Sequence, residues 1–164
     1  MPSARWQSEL YREKIILLLR TPPLTTVHNL DCRVGALDLT LSFLAFDDTR
    51  AWDPEVDPGP HHLFIVSVRA NLATLFVGST RGHASLASMN AISEENVKGG
   101  GFCYIDAQQR LTLAGTSDSF GAIPQSLAAR FVALLAQELQ ARSISFSGTR
   151  AEPATERLNE CWKT

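Results

Sequence analysis

His83 stands in the polar segment Ser79-Thr80-Arg81-Gly82-His83-Ala84-Ser85, just after an apolar run. A neutral imidazole accepts and returns protons near physiological pH, so His83 is a candidate acid/base group. The plain alternative is a loop histidine that is only solvated. Downstream, Val97-Lys98-Gly99-Gly100-Gly101-Phe102-Cys103-Tyr104-Ile105-Asp106 is followed by Leu111-Thr112-Leu113-Ala114-Gly115-Thr116-Ser117-Asp118-Ser119-Phe120-Gly121. Glycines so placed let backbone come close to a neighbour or take positive φ. The Gly115–Gly121 loop turns several N–H groups and hydroxyls toward one spot ahead of a helix, an arrangement that could hold an anion. Most such loops only make the turn. Ser117 follows a strand and precedes a helix, as a hydrolase nucleophile does. Its surroundings lack that motif's closing glycine, which reads Ser117 and Asp118 as turn and cap residues.

Other combinations carry less. His28, His61, His62 and His83 form neither an HxH nor an HExxH pattern, so no metal is expected. Cys32, Cys103 and Cys161 are odd in number and form no CxxC, which points to no disulfide framework, to no zinc site and to reduced thiols in a cytoplasmic setting. The neighbours Glu94 and Glu95 point to different sides of a helix and read as a solvated face. A net charge of −2 and a pI near 6.1 give no basic field, so neither nucleic acid nor an anionic membrane is expected as a partner. The early apolar run Ile15–Leu19 is too short for a signal segment or a membrane span. No cofactor is expected, and no sequence signal sets an oligomeric state.

The elements that must position these residues follow from periodicity. Ser3 can cap a helix over about residues 4–20, which Pro22-Pro23 stops. Leu37–Phe43 alternates apolar and polar, a half-buried strand, and 25–34 can pair with it through a turn at Gly35. Residues 47–60 are proline-rich and acidic, a solvated linker. Leu63–Val68 and Leu72–Val77 predict a hairpin, and Phe102–Ile105 with Leu111–Ala114 a second one. Residues 78–97 have room for a loop and a short helix. Pro124 starts a long helix over 125–142 whose Leu127, Phe131, Leu134, Leu135 and Leu139 should face the sheet. Residues 144–146 could add an edge strand, and Trp162 could pack back from the tail. The expected fold class is a single α+β domain: a mixed or mostly antiparallel sheet with a long C-terminal helix packed on it and an N-terminal helix. The expected organisation is an N-terminal extension over 1–60, a main body over 61–147 and a tail over 148–164.

Three glycines, a short strand, a turn, a second strand and then Gly115-Thr116-Ser117-Asp118-Ser119-Phe120-Gly121 resemble the Janus/Ocnus family, which includes the phosphohistidine phosphatases. The resemblance covers about residues 63–121 and is specific only between Gly99 and Gly121. It implies that Leu63–Val68 is the family's first strand and that Leu75–Gly78 leads toward its catalytic histidine. His83, followed by alanine, then falls within a residue or two of that histidine. The resemblance further implies that backbone amides of Ser117, Asp118, Ser119, Phe120 and Gly121 hold a phosphoryl group. The family's substrate-binding lysine maps near His62.

Two functions follow as expectations. The first is a small metal-independent phosphatase acting on a phosphorylated protein or a small phosphoramidate, with His83 as acid/base. The second is a non-catalytic binding or assembly module with a Janus-like core. Asp118 separates them, because its carboxylate would repel an anion unless it turns away.

Overall fold

The computed structural model describes residues 28–32, 35–43, 62–78, 82–89, 91–141 and 146–162. Seven strands form one sheet: β1 (His28–Cys32), β2 (Gly35–Phe43), β3 (His62–Arg69), β4 (Leu72–Gly78), β5 (Val97–Ile105), β6 (Arg110–Gly115) and β7 (Gly148–Pro153). Their order is β1-β2-β4-β3-β5-β6-β7. β2 runs parallel to β4 and β7 parallel to β6, and the other neighbours are antiparallel. The helices are α1 (His83–Met89) and α2 (Gln125–Ala141). Among the described residues no helix is long and apolar enough to cross a membrane.

β3 lies at the centre, and its side chains alternate between two cores as a strand's must. Phe64 and Val66 join Leu37, Leu39, Leu41, Leu75, Leu111 and Leu113 on the face that α2 covers with Leu127, Phe131, Leu134 and Leu135. Leu63 and Ile65 face the other way and meet Leu86 and Ala87 of α1, together with Val97. Both expected hairpins form. The β3–β4 turn needs one left-handed residue, and Ala70 takes it at φ 54°. The β5–β6 turn is held by the Asp106 carboxylate, which accepts the amides of Gln108 at 3.0 Å and Arg110 at 2.9 Å.

The expected fold class is corrected. The architecture is a strand-rich mixed sheet that carries, among the described residues, two α-helices, one of them seven residues long, and no long helix follows β7 among them. The 17-residue α2 is internal. After it the chain re-enters the sheet as β7 and closes with two 3₁₀ turns, Thr155–Arg157 and Glu160–Trp162. Gly148-Thr149-Arg150-Ala151-Glu152-Pro153 has no alternating apolar pattern, so nothing in its composition announces a strand. Its pairing with β6 supplies the reason, and a polar sequence suits an edge. The edge strand expected at 144–146 falls mostly outside the described residues; Phe146 lies outside any strand, and β7 occupies that edge of the sheet. The expected N-terminal helix and the linker over 47–60 also lie outside the described residues. β1 and β2, assigned by sequence to an extension, belong to the same sheet as the main body, and Leu37, Leu39 and Leu41 of β2 belong to its core.

Candidate functional site

α1 begins at His83. Leu86 and Ala87 follow at the three- and four-residue spacings that share a helix face, and they bury against Leu63 and Ile65. That packing sets His83 over the glycines of β5. His83 Nε2 lies 2.7 Å from the Gly101 carbonyl oxygen. A carbonyl only accepts, so Nε2 carries the proton and Nδ1 holds the lone pair of the neutral ring. The ring meets Phe102 edge-on, with centroids 5.6 Å apart and an interplanar angle of 70°. Burial pushes the imidazole pKa below its ordinary 6.5; the Gly101 hydrogen bond and the Asp118 charge oppose this without reversing it. His83 is therefore the neutral base form at pH 7.

The glycines are required by close approach. A Cβ on Gly100 would stand 2.6 Å from the Phe64 carbonyl oxygen, 3.0 Å from His83 Cδ2 and 3.3 Å from Ser117 Cβ. Gly100 thus marks the point where β3, α1 and the loop after β6 converge. A Cβ on Gly99 would meet Ile123 Cγ2 at 2.6 Å and the Ala122 carbonyl at 2.9 Å. Gly100→Ala should cost about 1–3 kcal/mol, because the obstructing Phe64 oxygen is backbone and cannot rotate aside. It should also move the His83 imidazole resonances. Urea denaturation and histidine NMR check both, and an unchanged imidazole signal would refute the contact.

The loop after β6 folds on itself and onto β5. The Ser117 amide donates to the Gly121 carbonyl at 3.2 Å, and Gly121 N–H returns a bond to the Ser117 carbonyl at 2.8 Å. Ser117 Oγ, buried, accepts the Phe120 amide at 3.1 Å. Gly100 N–H donates to the Gly121 carbonyl at 2.9 Å, which joins the loop to the glycine strand. Gly121 sits at φ +78°, a conformation side chains rarely adopt. The amides of Asp118 and Ser119 make no hydrogen bond among the described residues.

The expected site residues therefore fare differently. His83 and Ser117 come together at Gly100. Phe120 packs half-buried against the small core. Asp118 and Ser119 are exposed, and the Asp118 carboxylate turns to Arg157, whose Nη1 donates to Oδ1 at 2.9 Å. His62 opens β3 opposite Cys103 of β5; its side chain is not among those described. Among the described residues no three His, Cys, Asp or Glu side chains gather as a metal site would need.

Sequence reasoning missed Arg157 and Asn159, which brace the loop, while Trp162 packs back from the tail as expected. Asn159 Nδ2 donates to the Phe120 carbonyl at 2.6 Å, and its amide donates to the Ala122 carbonyl at 3.1 Å. The Ala122 amide donates to the Arg157 carbonyl at 2.8 Å. Trp162, buried, donates its indole N–H to the Lys98 carbonyl at 2.8 Å, next to the first glycine. The lone tryptophan in a polar stretch was the one available signal.

The chain matches no family model, no curated protein and no solved structure. Chemically, the site offers a neutral imidazole with one nitrogen fixed by a carbonyl, beside a glycine-bounded loop with two unused amides.

Proposed function

We propose that this protein is a small phosphatase acting on phosphohistidine or a related phosphoramidate without a metal, with His83 as acid/base and the Ser117–Gly121 loop as the phosphoryl seat. The observation that supports this reading most is the 2.7 Å hydrogen bond from His83 Nε2 to Gly101 beside that loop. It leaves Nδ1 as the proton acceptor. Water adds to phosphorus while Nδ1 takes one of its protons. The phosphorus–nitrogen bond breaks, and His83 returns the proton to the leaving nitrogen. The products are inorganic phosphate and a free amine or imidazole.

The loop's part is narrower than the resemblance implies. The amides of Ser117, Phe120 and Gly121 are used inside the loop. The amides left for phosphoryl oxygens are those of Asp118 and Ser119. Phosphate release from a phosphohistidine peptide and from a small phosphoramidate tests the activity. Titration with inorganic phosphate, followed by amide NMR, tests the seat. No phosphate release, together with no amide shift at millimolar phosphate, would leave the protein a binding or assembly module.

Asp118→Asn removes a like charge from the loop at nearly constant volume. Asp118 is 94% exposed, so water screens much of its effect. Phosphate affinity should rise about two- to fivefold. A fall in affinity would mean that the anion sits elsewhere.

A further inference from the structure

We propose that Arg157 is a substrate-binding residue of this site, donating the guanidinium N–H groups that Asp118 leaves open to the bound phosphoryl group. The inference rests on the phosphoryl-seat reading above and adds to it a residue some forty positions away in sequence. A phosphoryl group is strongly anionic, and the loop itself carries only a carboxylate. The site needs a cation, and the described residues supply one. Arg110 and Arg150 converge on Asp106 at the β5–β6 turn. Lys98 Nζ donates to the Glu95 carbonyl at 2.7 Å. Arg69 ends β3 at its turn into β4, and Arg130 lies on the exposed side of α2. Arg157 alone among the described cations touches the Ser117–Gly121 loop, through Asp118.

Its placement is fixed at the backbone and free at the side chain. The Arg157 carbonyl accepts the Ala122 amide at 2.8 Å, one residue past the loop. Asn159, two residues on, clamps Phe120 and Ala122. The guanidinium spends Nη1 on Asp118 Oδ1; Nε and Nη2 make no bond among the described residues. Arginine presents a planar fork of donors that matches phosphoryl oxygens. Arg157 and Asp118 side chains are 58% and 94% exposed, so their ion pair holds the guanidinium weakly and lets it turn.

The experiment measures inorganic phosphate binding to the full chain by amide NMR. Wild type, Arg157→Gln, Arg157→Lys, Asp118→Asn and the double variant Asp118→Asn/Arg157→Gln are compared. Arg157→Gln should weaken phosphate about tenfold, and Arg157→Lys should recover most of the loss. The same tenfold step should separate Asp118→Asn from the double variant. Equal affinity in that last pair would reduce Arg157 to a neutraliser of Asp118 and overturn the proposal. Wild-type binding that shifts the Asp118 and Ser119 amides but ignores Arg157→Gln would overturn it while the phosphoryl seat stands. No binding by wild type would overturn both.

Discussion

Replacing His83 with alanine should lower phosphoramidate hydrolysis by about 10²-fold or more, the usual contribution of a general acid–base group. The same substitution removes the hydrogen bond to the Gly101 carbonyl, which costs about 0.5–1.5 kcal/mol. Circular dichroism and urea denaturation should therefore show a folded protein of reduced stability, and activity is compared below its unfolding range. The pH dependence carries the same signature. Burial lowers the His83 pKa below 6.5, so the base form persists at neutral pH and the acidic limb of the rate profile falls below that value. The folded state binds fewer protons at His83 than the unfolded chain does. Its stability is therefore unaffected above about pH 6.5 and declines as pH falls from there toward the folded pKa. His83→Ala should remove that part of the decline. Activity that survives the substitution would retain an enzyme but transfer the acid/base role elsewhere, with His62 the next residue to substitute.

Leu135→Ala should destabilise the protein by about 2–5 kcal/mol, because the residue is fully buried where α2 meets the larger core. Phe131 and Leu134 are buried with it, and α2 lies over β6 and β7, so a truncated side chain leaves a cavity that rigid strands cannot close. Loss of hydrolysis should track the unfolded fraction only, since α2 covers the sheet face opposite α1 and His83. A urea midpoint that shifts by well under a kcal/mol would show that the site collapses around the smaller side chain.

The sequence by itself determined the local pieces. Period-two alternation marked β2, β-rich apolar runs marked β3 and β4, and the apolar stripe of Leu127, Phe131, Leu134 and Leu135 marked the buried face of α2, because burial decides which positions must be apolar and composition records them. It also singled out Gly99–Gly101 and His83 as unusual. Tertiary structure decided what they meet. That Gly100 lies against both His83 and Ser117 depends on β3 pairing with β5 and on α1 folding back over them, contacts between residues far apart in the chain. The fold class was misread for the same reason: β7 is a strand by its hydrogen bonds to β6, with no apolar alternation to announce it. Arg157 and Asn159 were read as tail because single polar residues carry no periodic signal. Their roles exist only where backbone pairing with Ala122 brings them against the loop.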